Sequence, residues 1–384
     1  MGGLIVHEWL ASSGGSEKVV EEMALALPNS EIRCLWAEST TDHLAAPVQE
    51  SWLAKTPLRG RKALAMPFMS PTWTRMRTSK EYDWMLVSSH LFAHHARLKD
   101  QPDVPKFSYI HTPGRYIWTP EMDPRGNGRL ARAVAPYLRH RDLAASRFSG
   151  KLAANSHFIQ DRIRECWDRD ASVLHPPVQV NAIASAGDWS DLLSPAEARV
   201  FHTLPSTFVL GASRLVAYKR LDTVIEFGAA TNIPVVIAGS GPEAARLKVQ
   251  ADAAPTSVTF VGKVSDAMLY ALYQRALALI FPAIEDFGIM PVEAMAVGTP
   301  VIGPMTGGVA ETVVEGVSGW RMFDFEDRSE MASALSHVES LSPEACSEYA
   351  MKFDASVFRQ GLETWMGLNL GIDPEGAITC DRQI

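Results

Sequence analysis

Four cysteines in 384 residues, Cys34, Cys166, Cys346 and Cys380, are too scattered to form metal-ligand spacings. That argues against structural zinc, and a reducing compartment is the simplest expectation. No apolar run approaches the roughly 18 residues of a membrane span, so none is expected. The opening Met1-Gly2-Gly3-Leu4-Ile5-Val6-His7-Glu8 lacks the basic residues and the long apolar core of a secretory signal. Low-complexity tracts are missing too, so no segment is expected to be disordered on composition. What remains is an ordinary globular composition, 47% hydrophobic, long enough for two domains with a core in each. No G-x-G-x-x-G follows the first strand, where Gly14-Gly15 stands instead. That argues against an NAD-dependent dehydrogenase.

Acids are missing from one stretch entirely. Residues 51–80 hold Lys55, Arg59, Arg61, Lys62, Arg75, Arg77 and Lys80, with Trp52, Leu53, Leu58, Leu64, Met66, Phe68, Met69 and Trp73 between them. Such a mixture suits an anionic membrane surface, each cation contributing about 1 kcal/mol near it. The plain alternative is a solvated face whose apolar residues are core. Nucleic acid is not the expected partner, because the formal net charge is −8. That charge is uneven: residues 1–180 carry 23 basic and 19 acidic residues, and the remainder 13 and 25. The first part is therefore at +4 and the second at −12, which points to different partners for each.

The chain reads as two series of alternating strands and helices. The first has candidate strands at Leu4–Val6, Trp84–Val87, Phe107–Ile110 and Gly150–Ala154, with a helix pattern over Glu17–Leu27. His175-Pro176-Pro177-Val178 and the small, polar stretch Asn181–Asp191 read as a linker. The second series has strands at Phe208–Gly211, Pro234–Ala238, Val258–Val261, Ala278–Phe281, Pro300–Gly303 and Trp320–Met322. Helix patterns lie near Arg220–Phe227, Glu243–Gln250, Asp266–Arg275, Pro291–Ala296 and Val309–Glu315. The expected domains are 1–178 and 179–354, with a C-terminal helix over about 355–384 returning to the first. Alternation of this kind gives parallel sheets whose strand ends bind ligands.

The candidate chemistry clusters at such ends. Glu285 falls in a loop after a strand, and Glu293 on the helix starting near Ile289. Two carboxylates placed so can hold different hydroxyls of one ligand. Free N–H groups around Phe287, Gly288 and Ile289 suit an oxygen-rich ligand. Arg214 and Lys219 follow another strand end and suit a diphosphate, one as a planar fork and the other as a mobile point charge. Gly239-Ser240-Gly241-Pro242 and Thr306-Gly307-Gly308-Val309-Ala310-Glu311 are further glycine turns at strand ends. Read singly, each of these is a surface charge, a helix cap or a turn.

Together, Ser213–Asp222, Gly239–Pro242, Phe260-Val261-Gly262, Glu285–Glu293 and Gly307–Glu311 resemble glycosyltransferase family 4 in order and spacing. Gly14-Gly15, Tyr109-Ile110-His111-Thr112-Pro113-Gly114-Arg115-Tyr116 and Ala154-Asn155-Ser156 agree with it. The resemblance covers nearly the whole chain. It implies a GT-B fold, two Rossmann-like domains facing each other across a cleft, with retention of anomeric configuration and no required metal or other cofactor. It implies catalytic roles for His111, Glu285, Arg214 and Lys219. It also implies donor contacts from Gly14, Gly15, Asn155, Ser156, Gly239, Gly241, Val261, Lys263, Phe287, Gly288, Ile289 and Glu293. By the same resemblance Arg214 and Lys219 bind the diphosphate, Glu285 faces the sugar and Glu293 the ribose. Thr119 stands where many relatives carry an acid.

The opening Val6-His7-Glu8-Trp9-Leu10 and Gly14-Gly15-Ser16-Glu17-Lys18 resemble bacterial mannosyl- and rhamnosyltransferases of surface-polysaccharide synthesis. GDP-mannose is therefore the expected donor and a glycan or lipid-linked molecule the expected acceptor. The expected setting is the cytoplasm, at the inner face of the plasma membrane if residues 51–80 bind it. A UDP-sugar donor and a non-catalytic nucleotide-sugar binder are the competing readings.

Overall fold

The computed structural model describes residues 2–12, 14–120, 128–372 and 378–381. The chain divides into two compact units: residues 1–177 with 355–384, and residues 178–354.

Unit 1 holds a seven-stranded parallel sheet: β1 (Gly3–His7), β2 (Ser30–Cys34), β3 (Val48–Glu50), β4 (Trp84–Ser89), β5 (Lys106–Ile110), β6 (Lys151–Ala154) and β7 (Ser172–Val173). Their order is β3-β2-β1-β4-β5-β6-β7. Leu4 and Val6 pack on one face with Leu35, Met85 and Val87. Ile5 packs on the other with Ile32, Leu86 and Tyr109. Both faces are covered, which is why these strands read as unbroken apolar runs. β2 escapes such reading, because Ser-Glu-Ile-Arg-Cys has only two apolar residues. Its Glu31 is nonetheless buried, paired with Lys80 and bonded to the Tyr82 hydroxyl.

Unit 2 holds six parallel strands: β8 (Val209–Ala212), β9 (Val235–Ala238), β10 (Val258–Gly262), β11 (Ala278–Ile280), β12 (Val301–Pro304) and β13 (Gly319–Met322). Their order is β10-β9-β8-β11-β12-β13. Helices enter through side-chain caps at Ser194, Ser265, Asp327 and Ser342, each satisfying a free backbone N–H. In each sheet the strand order reverses once, between β1 and β4 and between β8 and β11. Neighbouring helices leave toward opposite faces there, and the strand ends open a crevice.

Two expectations need correction. The stretch read as a linker carries a helix, Val180–Ser185, whose Val180 and Ile183 join the core of unit 2. Trp189 closes over it, donating Nε1–H to the Ile183 carbonyl at 3.0 Å. Six residues are too few to show a helical period. The C-terminal helix spans Ala355–Met366 only, and an antiparallel pair follows, β14 (Asn369–Ile372) and β15 (Ile378–Asp381). The rest of the expected helix, 373–377 and 382–384, lies outside the described residues. Phe358, Leu362 and Trp365 of Ala355–Met366 pack in the core of unit 1, and Arg359 pairs with Glu22.

Candidate functional site

In unit 2, the loop after β8 and the loop after β11 meet at the point where the sheet reverses. Lys219 sits in a short 3-10 turn after β8 and is buried. Its Nζ pairs with Glu285 Oε1 from the loop after β11. The same ammonium lies 5.6 Å from the Phe281 ring centroid and 5.2 Å from that of Tyr218. Arg214 is exposed and donates to Tyr218 Oη at 3.2 Å. It pairs with no carboxylate among the described residues, so its charge is unbalanced where that of Lys219 is answered.

Glu293 is the fifth residue of helix Ile289–Ala296 and is buried. Burial, and then the charge of Glu293, pushes the phenol pKa of Tyr273 upward, and likewise that of Tyr270. The helix begins after Gly288, whose φ of +96° belongs to the left-handed region glycine tolerates. Phe287 is a core residue, and Ile289 packs partly against the same core.

The glycine turns hold these loops in place. A Cβ on Gly308 would lie 2.3 Å from the Asp286 carbonyl oxygen, and the Gly308 N–H donates to the Glu285 carbonyl at 2.8 Å. The glycine pair thus lets the two loops touch backbone to backbone. Gly239 and Gly241 do the same for the segment bearing Arg214. Their Cβ atoms would fall 1.8 Å from the Ser213 oxygen and 2.3 Å from the Leu215 oxygen. These glycines have a packing reason of their own beside any donor contact. Val261 and Lys263 belong to β10 and the turn after it, at the sheet edge, with β9 between them and β8.

In unit 1, the reversal between β1 and β4 gathers a polar cluster that sequence reading largely missed. Glu8 follows β1 and is fully buried. Its carboxylate accepts the N–H groups of Leu91 (2.8 Å), Ala93 (2.9 Å) and His90 (3.2 Å) and the Ser89 hydroxyl (3.1 Å). Burial alone pushes its pKa up. The His90 and His7 imidazoles and the N–H groups of Ala93 and Leu91 outweigh that and hold it at about 2.

His111, at the end of β5, is joined to this cluster through Ser88. His7 Nδ1 lies 3.1 Å from the Ser88 carbonyl oxygen and 3.1 Å from Ser88 Oγ. A carbonyl only accepts, so His7 Nδ1 carries the hydrogen. Among the described residues the buried Ser88 hydroxyl then has one acceptor left for its own hydrogen, His111 Nε2, 2.8 Å away. With Nε2 accepting, neutral His111 bears its proton on Nδ1. Burial first, and then the neighbouring His90 and His7, keeps its pKa well below the ordinary histidine value. His111 is therefore a neutral hydrogen-bond donor at Nδ1 and not a general base at that atom.

Other expected residues in unit 1 have structural duties. Gly14 has an extended φ of 171°, which any residue adopts, and the nearest obstacle to a Cβ there is the Glu17 carboxylate at 2.2 Å. Gly15 opens helix Gly15–Ala26. Ser156 caps helix His157–Trp167 by accepting the Ile159 N–H at 3.1 Å and donates to Asn155 Oδ1. Thr119 accepts from the buried Arg162 at 2.7 Å, and Arg162 also bonds Thr112 Oγ1 at 2.9 Å.

Among the described residues, two groups place potential metal-ligand atoms within 4.8 Å of each other: His7, Glu8 and His90, and His94, His95 and Asp142. In each group hydrogen bonds engage the carboxylate, Glu8 in the first and Asp142 in the second. Asp142 accepts the indole N–H of Trp118 (2.7 Å) and Trp167 (2.8 Å) on one oxygen, and His95 Nε2 stands 3.1 Å from the other. It ties helix Arg129–Ser146 to the turn Ala93–His95 and to helices Arg115–Trp118 and His157–Trp167.

Comparison with known proteins adds to this geometry. The family model described as glycosyl transferases group 1 matches residues 198–353, which contain the whole unit 2 cluster. The α-1,3/1,6-mannosyltransferase alg-2 of Neurospora crassa is 25% identical over 228 residues, 50% of this chain and 48% of that protein. The D-rhamnosyltransferase WbpZ of Pseudomonas aeruginosa is 35% identical over 133 residues, 33% of this chain and 35% of that one. The chain thus spans half or less of the curated relatives it matches. Among solved structures, Anabaena Alr3699/HepE in complex with UDP superposes with a TM-score of 0.69 at 19% identity, covering 95% of this chain and 99% of that one. The chain accordingly has two Rossmann-like units of the GT-B fold, and its residues 198–353 match the glycosyl transferases group 1 model.

Proposed function

We propose that this protein is a retaining glycosyltransferase that moves a hexose from a nucleotide sugar to a glycan or lipid-linked acceptor. The observation that carries the reading is the pair of buried Lys219 and half-buried Glu285 beside exposed Arg214, which has no carboxylate partner among the described residues, at the reversal of a sheet within the segment that matches the glycosyl transferases group 1 model. Charge grows on the leaving diphosphate as the glycosidic bond breaks. Fixed cations and the N–H groups at Gly288 and Ile289 stabilise that charge without solvent rearrangement. The proposal therefore needs no metal or other cofactor. Glu285 is tied to Lys219, which dulls it as a nucleophile and favours front-face attack over a covalent intermediate. In that scheme the departing phosphate takes the acceptor's proton. Glu285 orients the sugar, Glu293 the ribose, and His111 offers its Nδ1–H to a sugar or acceptor hydroxyl.

Mannose from GDP-mannose is the preferred donor, supported by the mannosyl- and rhamnosyltransferase relatives. A UDP-sugar is the second reading, favoured by the UDP-bound Anabaena structure. Thermal melts with GDP, UDP, ADP and their sugars separate the two, since the true ligand raises the melting point by mass action. Donor hydrolysis tests the activity: slow release of nucleoside diphosphate is expected. Arg214→Ala and Lys219→Ala are each expected to slow it by on the order of 10²-fold. Binding without any turnover would leave a nucleotide-sugar binder, and wild-type rates in both variants would remove the diphosphate roles.

A further inference from the structure

Helix Lys62–Thr74 turns Ala65, Met69 and Trp73 into the core of unit 1. Its outer face is apolar as well. Leu64 is 59% exposed and Phe68, one turn on, 44%. Trp52, 52% exposed, lies edge-on to Phe68 with ring centroids 6.2 Å apart and donates Nε1–H to Thr72 Oγ1 at 3.0 Å. Ala63 and Pro67 complete an exposed ridge on which no carboxylate stands.

The cations around the ridge fall into two groups. Arg59, Lys62, Arg77 and Lys80 are answered by Glu50, Glu38, Asp100 and Glu31 from outside the acid-free stretch. Lys55, Arg61 and Arg75 are exposed and pair with no carboxylate among the described residues. The seven basic residues of 51–80 thus reduce to three charges without a carboxylate partner among the described residues, in a stretch that also exposes three large apolar side chains.

We propose that this face docks unit 1 on an anionic lipid surface, with Trp52, Leu64 and Phe68 in the headgroup–acyl boundary and Lys55, Arg61 and Arg75 on lipid phosphates. A bilayer satisfies both halves of the ridge at once, taking up apolar side chains and neutralising cations. A second copy of this face would set like charges against each other. The inference stands on unit 1 alone and goes beyond the donor chemistry of unit 2.

The test is co-sedimentation of the full chain with phosphatidylcholine vesicles, with and without phosphatidylglycerol. Binding to the anionic vesicles only, weakened by added salt, is expected. L64S/F68S and, separately, R61E are each expected to lower partitioning by about tenfold or more. Both changes lie on exposed positions, so an unchanged melting point and an unchanged nucleotide-induced shift are expected alongside. That control separates failure of the docking face from failure of the proposed function. Equal binding to both vesicle types, binding to neither, or wild-type partitioning of L64S/F68S overturns the proposal. So does a dimer in sedimentation velocity that L64S/F68S dissolves, or RNA binding that depends on Arg61 but not on Phe68.

Discussion

The Ser88 hydroxyl and the nitrogen it meets are separated by 23 residues of chain, and the hydroxyl fixes where the His111 proton resides. Removing it in Ser88→Ala frees Nε2 to take the proton. In 15N-labelled protein, wild-type His111 is expected to show a protonated Nδ1 and an unprotonated Nε2, and Ser88→Ala a mixture of tautomers. Donor turnover is expected to fall by about tenfold, the loss of one neutral hydrogen bond. A protonated Nε2 in the wild type would refute the assignment. Glu8 acts on stability instead. Its folded pKa of about 2 lies below the ordinary value of 4.5, so its contribution is complete above 4.5 and is lost as pH falls toward 2. Urea melts are expected to show unfolding free energy declining across that window more steeply in the wild type than in Glu8→Gln. At neutral pH the variant is expected to lose about 3 kcal/mol, because an amide cannot accept every donor around the carboxylate. Equal acid profiles would contradict the role.

At the level of elements, the loops are held by backbone contacts that glycine alone permits. Gly308 faces the Asp286 carbonyl so closely that Gly308→Ala must part the loops after β11 and β12. The cost is expected to be about 2 kcal/mol, a fall of several degrees in melting point. The nucleotide-induced shift is expected to shrink with it, because Glu285 belongs to the displaced loop. A variant that melts lower but keeps the full nucleotide shift would separate packing from binding and remove the link. Elements also differ in how far their own residues declare them. Ile289–Ala296 was legible from Pro291 and Gly298 at its two ends, and β8 to β13 from apolar runs between turns. β2 and Val180–Ser185 were not, because one hides in a polar sequence and the other is under two turns long.

On the scale of the whole chain, the alternation of apolar runs and amphipathic stretches is a local property, and it reached the fold class because parallel sheets covered on both faces require it. Arg214, Lys219, Glu285 and Glu293 were also visible, as charged residues just past strand ends in a distinctive order. Strand order is not local. Nothing near His7 in the sequence reveals Ser88, 81 residues away, yet the pairing of β1 with β4 sets them side by side. The same holds for the acids that neutralise four of the cations in 51–80, all of which lie outside that stretch. By itself the sequence determined which segments become strands and helices and which side chains carry charge, since both follow from residue type and short-range spacing. Which charges are paired, which nitrogen of His111 holds the proton and which apolar residues remain exposed were decided only by the tertiary structure, because each depends on contacts between residues tens of positions apart.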